Sequence, residues 1–191
     1  MNLHNTYNLI SKTEKRSEGF KLMMDALVTV PSPLIVETGC VRQESGFSDD
    51  GMSTLIFDSY IHERGEGELI SVDISQENVD LAREMVKNPS SIYCSDSIPF
   101  LLELNKHCKE RNKFVDLLYL DSYDFNPYNT HPSALHHMYE LCAILPSLRP
   151  GSIIVVDDNF QYVGKGLYIK KFMEHLNKPR IYFGYQWMWT W

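Results

Sequence analysis

Short apolar runs alternate with longer stretches of helical periodicity along most of the chain. The apolar runs predict five buried strands, at 33–38, 68–75, 91–96, 115–122 and 151–159. The other stretches predict helices at 51–64, 76–88, 97–112, 132–150 and 164–178. Strands and helices that alternate in this way form right-handed βαβ units, and continuous apolar strands are typical of a parallel sheet covered on both faces.

The two ends of the chain depart from this alternation. The segment 180–191 reads RIYFGYQWMWTW, and its period of two predicts an antiparallel edge strand or a tight hairpin. Near the other end, EGFKLMMDALV predicts a helix within an N-terminal helical segment of residues 1–30. The whole pattern predicts one α/β domain over 1–191, with a doubly wound, mostly parallel sheet and helices on both faces.

Composition and charge narrow the class of protein. The 191 residues are 43% hydrophobic, which is enough for a single core. The net charge of −7 differs from the positive charge that is typical of nucleic-acid-binding proteins. Basic residues between 165 and 180 indicate the solvated face of a helix. No apolar run is as long as a membrane-spanning segment, which needs about 18 residues. The N-terminus lacks the apolar segment of a signal peptide. We therefore expect a cytoplasmic protein with no membrane and no nucleic-acid partner.

The cysteines give no sign of a zinc site. Cys40, Cys94, Cys108 and Cys142 form no C-x-x-C pair, and no histidine follows them at zinc spacing. Each lies in or beside an apolar run, so we expect buried free thiols in a reducing compartment.

Acidic or polar residues follow each of the five predicted strands. In chain order they are Glu37-Thr38-Gly39, Asp73, Asp96, Asp121 and Asp157-Asp158-Asn159. Ligands of open parallel sheets bind beyond these strand ends, so the series predicts a polar ligand site. Asp73, at the second strand tip, is placed to accept hydrogen bonds from ribose hydroxyls. The alternative is an N-cap of the next helix, for which Ser75 is the better candidate.

The turn after the first strand argues against a dinucleotide. Gly39 has no second glycine close behind it, so the G-x-G-x-x-G pyrophosphate turn is absent. The loop 40–50 carries Glu44, Asp49 and Asp50, which would repel phosphate and favour a ligand with a cationic part. We expect this loop to form a lid or wall of the site; the alternative is an ordinary surface loop.

At this point the chain resembles the class I S-adenosylmethionine-dependent methyltransferases, from about residue 30 to the end. The order and spacing of several segments carry the resemblance: VETGC, ISVDIS, CSDS, LYLDSYD, LRPGSIIVVDDN and GKG. The resemblance implies a Rossmann-like fold, S-adenosylmethionine as cofactor and methyl transfer as the activity. The long insertion between Gly39 and Gly51 departs from the family, which usually crosses this turn in a few residues.

The resemblance also implies roles for the strand-tip residues. Glu37 and Gly39 would lie against the methionine part of the cofactor, and Asp73 would take the ribose hydroxyls. Asp96 with Ser97 would face the adenine amino group. Three residues would open the helix whose N-terminal amides receive the methionine carboxylate; they are Gly51, Ser53 and Thr54.

The acceptor is expected beside the fourth strand. Methyl transfer is an in-line displacement that needs an aligned acceptor and, for a hydroxyl, a proton acceptor. The segment LYLDSYDFNPYNTHPSALHHMYEL offers Asp121, Asp124 and His131 as catalytic candidates. His136 and His137 lie on the following helix and are interpreted as surface or packing residues.

A second resemblance concerns a metal ion. Metal-dependent O-methyltransferases of the catechol type are similar in having an Asp after the fourth strand and Asp-Asn after the fifth. Asp121, Asp158 and Asn159 would supply oxygens suited to Mg²⁺ or another divalent cation. Asp124 departs from that pattern, because those enzymes carry a basic catalytic residue there. The alternative is that these acids bind substrate or cap the following turns.

We therefore expect a methyltransferase, and specifically an O-methyltransferase, that acts on a small polar molecule. DSYD also resembles the acidic segment of aminopropyltransferases, so an enzyme of that type stays open, as does a non-catalytic nucleoside-binding module. A homo-oligomer is compatible with the sequence.

Overall fold

The computed structural model describes residues 3–191 and contains one seven-stranded sheet. The strands are β1 Leu34–Thr38, β2 Glu68–Asp73, β3 Ile92–Cys94, β4 Val115–Leu120, β5 Leu148–Val156, β6 Tyr182–Phe183 and β7 Trp187–Thr190. Their order across the sheet is β3-β2-β1-β4-β5-β7-β6. Strands β1 to β5 pair in parallel, whereas β7 is antiparallel to β5 and β6 to β7. The predicted Rossmann-like sheet with an antiparallel hairpin at its C-terminal edge is confirmed.

Seven helices accompany the sheet within the described residues. They are α1 His4–Ile10, α2 Ser17–Leu27, α3 Ser53–Arg64, α4 Gln76–Met85, α5 Ser97–Glu110, α6 His131–Ile144 and α7 Leu167–His175. The helix predicted over 132–150 is wrong at its C-terminal end. Helix α6 stops at Ile144, a 3-10 turn follows at Leu145–Ser147, and residues 148–150 already belong to β5. Pro146 accounts for the stop, because proline cannot donate the next helical hydrogen bond.

The alternation of side chains along the strands builds two apolar layers. Val36, Leu118 and Ile154 pack with α5, α6 and α7 on one face of the sheet. Ile35, Leu117 and other neighbours pack with α1, α2 and α3 on the opposite face. Because both faces are covered, successive positions of the strands are mostly apolar, which explains their continuous runs in the sequence.

The C-terminal hairpin contributes to both layers. Trp187 and Trp189 join the layer of α5–α7, whereas Met188 joins the opposite layer. The predicted period of two is therefore confirmed in β7. It does not extend to Phe183, which is exposed at the edge and lies against the Arg180 guanidinium.

Two expectations about the cysteines differ from the structure. Cys40 and Cys108 are buried free thiols as predicted, but Cys94 and Cys142 are exposed. Cys94 ends the short strand β3, whose last two residues are solvent-exposed, so an apolar neighbourhood in the sequence did not guarantee burial. Within residues 3–191, none of the helices is both long and apolar enough to cross a membrane.

Candidate functional site

Two adjoining cavities open at the C-terminal ends of the parallel strands, where the strand order reverses between β1 and β4. The first, with a volume of about 190 Å³, lies over the tips of β1, β2 and β4. The second, of about 350 Å³, lies over β2 and β3 beside the start of α5. Asp73, Ile74 and Ser122 line both cavities, so together they form one cleft. This is the position at which open α/β sheets bind ligands.

Gly39 joins the β1 tip to the β4 tip at the floor of the cleft. Its φ of +82° is a left-handed conformation, and a Cβ there would stand 2.6 Å from the backbone oxygen of Asp121. Its N–H donates to the Val72 carbonyl at 2.8 Å, which ties it to β2 as well. Glycine is therefore required by the protein backbone itself, in addition to any approach of a ligand.

Asp73 lies at the junction of the two cavities and is 8% exposed. Its Oδ2 accepts from the Cys40 N–H at 3.1 Å, and its Oδ1 accepts from the Ser75 N–H at 2.8 Å. Ser75 itself is the N-cap of α4, as the sequence favoured. All of these donors are neutral, and a carboxylate oxygen has a second lone pair, so Asp73 retains the capacity to accept hydroxyl groups.

Asp96 and Ser97 line the second cavity at the start of α5. Asp96 caps the helix by accepting from the Ile98 N–H at 3.0 Å. Ser97 is buried, with its Oγ 3.1 Å from Nε2 of His136. His136 also lines this cavity and pairs with Glu140, whose hydrogen bond raises the pKa of the imidazole. His136 was interpreted as a surface or packing residue, and the structure adds that it lines this cavity.

Glu37 lies beneath the cleft and lines neither cavity, so the expected direct contact with a cofactor is not supported. Its Oε2 accepts from the Ser71 hydroxyl at 2.5 Å and from the Thr54 hydroxyl at 2.7 Å. Burial raises the pKa of the Glu37 carboxyl to about 7, although these hydroxyls act against the rise. Glu37 is thus a support that connects β1 and β2 to the start of α3.

The residues that open α3 have different surroundings. Ser53 lines the first cavity, but Thr54 is buried and its Oγ1 accepts from the Val41 N–H at 3.0 Å. Gly51 has a φ of +78° and packs against the side chain of Arg16, outside the cleft. Of these three predicted cofactor residues, the structure brings only Ser53 to the cavity.

The loop 40–50 forms a wall of the first cavity. Cys40, Val41, Arg42 and Asp50 line it. Arg42 pairs with Asp50 at 3.0 Å and, across the cleft mouth, with Asp124 at 2.8 Å. The wall is therefore less acidic than the sequence suggested, because an arginine partly neutralises it.

Lys165 is the charged residue that the sequence interpretation misplaced. It is 1% exposed, and its Nζ lies 2.5 Å from Asp121 Oδ1 and 2.9 Å from Asp158 Oδ2. Burial lowers the pKa of this ammonium, but the two carboxylates outweigh it and raise the pKa above its usual range. The solvated face expected for residues 165–180 is thus wrong at Lys165. The glycines on both sides of it, in GKG, were the available signal of a close backbone approach.

A second buried cation reaches the same region from the N-terminal segment. Arg16 Nε lies 2.6 Å from Asp157 Oδ2, and Arg16 Nη2 lies 3.3 Å from Asp158 Oδ1. Arg16 also donates to the backbone oxygen of Asp49 at 2.7 Å, which fixes the end of the loop wall. No sequence pattern pointed to this arginine, since its partners lie 141 and 142 residues further along the chain.

Burial raises the pKa of the Asp121 carboxyl well above its usual range, while Lys165 acts in the opposite direction. Asp121 lines the first cavity, while its Oδ1 is held by the Lys165 ammonium. Asp124 lines the same cavity at its exposed mouth. His131 begins α6, hydrogen-bonds to the Tyr168 hydroxyl at 2.7 Å and lines neither cavity. The structure thus gives no support to His131 as a catalytic base.

The predicted metal ligands do not fit a divalent cation. The Asn159 amide holds a turn: its Oδ1 accepts from the Gly166 N–H at 2.8 Å, and its Nδ2 donates to the Val156 carbonyl at 2.7 Å. Asp121 and Asp158 already share the Lys165 ammonium. Across residues 3–191, no group of three or more His, Cys, Asp or Glu side chains is arranged to hold a metal ion.

Comparison with known proteins identifies the same fold in solved structures and a family that the sequence matches. Solved structures similar to the chain include MycE, a methyltransferase from the mycinamycin biosynthetic pathway in complex with Mg and SAH, with a TM-score of 0.62 and 13% identity over 92% of this chain. They also include CalS11, a calicheamicin methyltransferase, with a TM-score of 0.61 and 15% identity over 98% of this chain. The O-methyltransferase NovP has a TM-score of 0.53 and 12% identity over 92% of this chain.

The chain spans 49% of the length of MycE, 80% of CalS11 and 79% of NovP. At these identities the likeness establishes a shared fold. No curated protein sequence matches the chain significantly. Residues 46–159, more than half of the chain, match a family described as a methyltransferase domain. The protein therefore belongs to this methyltransferase family.

Proposed function

We propose that the protein transfers the methyl group of S-adenosylmethionine to a hydroxyl oxygen of a small polar molecule. The observation that carries this proposal is the position of Asp73 at the junction of two cavities, in a chain of the methyltransferase family. The second cavity, with Asp96 and Ser97, suits an adenine. The first, with Gly39 and Ser53, suits the methionine part, and Asp73 between them suits the ribose.

The first cavity also holds the residues proposed to act on the acceptor. S-adenosylmethionine, when bound, supplies an electrophilic methyl group on a sulfonium. Asp121 accepts the proton of the acceptor hydroxyl, because it lines the same cavity as Gly39 and Ser53 and a positioned carboxylate can act as a general base. Asp124 and Arg42, at the mouth, orient the polar groups of the acceptor.

Oxygen as the acceptor atom is supported by the similar structures. NovP is described as an O-methyltransferase, and CalS11 as a TDP-rhamnose 3'-O-methyltransferase. MycE is described in a complex with mycinamycin VI. These substrates belong to those proteins, and for this chain they support the coarser proposal of a small molecule rich in hydroxyls.

We further propose that residues 1–191 act as one domain. Helices α1 and α2 share their apolar layer with α3, and Arg16 reaches the tips of β5. The N-terminal segment therefore takes part in building the cleft.

The proposal is tested by calorimetry with S-adenosylmethionine and its demethylated product, using NAD and decarboxylated S-adenosylmethionine as controls. We expect S-adenosylmethionine and its demethylated product both to bind and NAD not to bind. Tighter binding of the decarboxylated form would favour an aminopropyltransferase instead. A labelled methyl group followed into a panel of sugars and phenols then separates an enzyme from a binding module, and absence of ligand binding contradicts the proposal.

A further inference from the structure

The tips of β4 and β5 hold a buried ionic cluster, formed by Asp121, Asp157, Asp158, Arg16 and Lys165. Three carboxylates face two cations, which leaves one net negative charge if all are ionised. Within this cluster, Lys165 lies between Asp121 and Asp158, because its ammonium is within 2.9 Å of oxygens from both carboxylates. These are two of the three side chains for which the sequence predicted a shared divalent cation.

The backbone around Lys165 fixes this arrangement. A Cβ at Gly164 would stand 2.4 Å from Asn159 Oδ1, and one at Gly166 would stand 3.0 Å from the same atom. The Gly-Lys-Gly turn thus wraps around the Asn159 amide and directs the lysine between the two carboxylates. Asp158 contributes from a left-handed backbone conformation with φ of +52°, a region that aspartate enters more readily than most residues other than glycine.

A divalent cation placed between the same carboxylates would collide with the ammonium. It would also be repelled at a few ångströms in a buried region, where charges interact strongly. The third predicted ligand is committed to the turn, as its amide both accepts and donates hydrogen bonds there.

We infer that Lys165 is a built-in replacement for a divalent cation, so that the cleft holds Asp121 and Asp158 together without a metal. Lys165 acts through Asp121 and is therefore a positioning residue. Its ammonium supplies a fixed positive charge beside the carboxylate of Asp121, a residue that lines the first cavity. Removing this side chain leaves two carboxylates around an empty space, and that pair then recruits a divalent cation.

The wild-type protein gives the first test, by titration with Mn²⁺ followed by electron paramagnetic resonance. We expect the signal of free Mn²⁺ to be unchanged by the protein, and the melting temperature to be unaffected by Mg²⁺ or by a chelator. Stoichiometric binding of Mn²⁺ that is lost in Asp158→Asn would overturn the inference.

The variant Lys165→Ala gives the second test. We expect it to melt below the wild type and to regain about 5 °C or more when Mn²⁺ is well above its dissociation constant. Lys165→Arg, which keeps the charge, should show no response to Mn²⁺. Lys170→Ala is the matched control, since Lys170 lies on α7 near an exposed Glu174 at 3.7 Å. A folded Lys165→Ala protein that responds to Mn²⁺ no more than Lys170→Ala contradicts the inference. If Lys165→Ala does not fold, the titration of the wild type decides.

Discussion

Asp73 and Asp121 stand at the tips of β2 and β4, and we call the surroundings of these two tips the Asp73 half and the Asp121 half of the cleft. The two carboxyl groups are held by opposite kinds of partner. Asp73 accepts from neutral donors, the N–H groups of Cys40 and Ser75. Asp121 is paired with the buried ammonium of Lys165. Neutral donors hold a carboxylate without introducing a second buried charge. A buried ion pair is costly to break, because the remaining partner stays charged in a poorly solvating place.

The largest expected effect comes from removing the cation of the Asp121 half. Lys165→Met leaves Asp121 and Asp158 without their shared partner, so we expect the free energy of unfolding to fall by about 3–5 kcal/mol. Lys170→Met, at a half-buried site on the following helix α7, should change it by less than about 0.5 kcal/mol. Urea denaturation measures both. Equal effects of the two substitutions would remove the contrast between the two halves.

The Asp73 half contains a buried carboxyl with neutral partners only, and this predicts a dependence on pH. The pKa of Glu37 is raised from 4.5 to about 7 by burial, so the folded state keeps a proton that the unfolded state releases. The contribution of Glu37 to stability therefore falls as the pH rises from 4.5 to about 7, by about 3 kcal/mol in total.

Glu37→Gln should abolish this loss, so the stability difference between variant and wild type should grow in favour of the variant across the same pH range. The variant must be compared with the wild type at each pH, because His137 also makes stability depend on pH. Burial lowers the pKa of His137 to about 4, so its contribution to the stability of both proteins rises between pH 4 and 6.5. Urea denaturation at several pH values is the measurement. A difference that is constant with pH would show that neutral hydroxyls are sufficient partners for Glu37.

Gly39 connects the two halves, and its replacement tests whether their contact is structural. We expect Gly39→Ala to lower the free energy of unfolding by about 2–3 kcal/mol, since the new Cβ meets the Asp121 backbone and φ is left-handed. Gly65→Ala is the control, because Gly65 has φ of +70° with no atom within 4 Å of a Cβ. It should lose only about 1 kcal/mol. Equal losses would mean that the clash is relieved by small movements.

Asp73→Ala compares the two halves of the cleft by their effect on ligand binding. We expect the affinity for S-adenosylmethionine to fall by about 1.5–3 kcal/mol, the scale of hydrogen bonds to a charged group. Lys165→Arg should leave this affinity nearly unchanged, because Lys165 lies behind the other half of the cleft. Calorimetry compares the two, and an unchanged affinity in a folded Asp73→Ala protein would reject the ribose role.

Local sequence patterns predicted much of the fold because periodicity reports which face of an element is buried. The strand tips were predictable for the same reason, so Asp73, Asp96 and Asp121 all line the cleft. The failures came from pairing over long distances. Arg16 meets Asp157 across 141 residues, and Lys165 meets Asp121 across 44. A pattern read in a short window cannot contain either contact.

The sequence by itself determined the order of strands and helices, the parallel sheet with its antiparallel edge, and the row of acids along one rim. It did so because burial on both faces and turns at strand ends are local requirements. Only the tertiary structure decided which acids face the cavity, which lie beneath it like Glu37, and which are neutralised by Lys165 and Arg16. Those outcomes depend on which side chains distant in sequence meet in the folded protein, because an ion pair forms only where the fold brings opposite charges within about 4 Å.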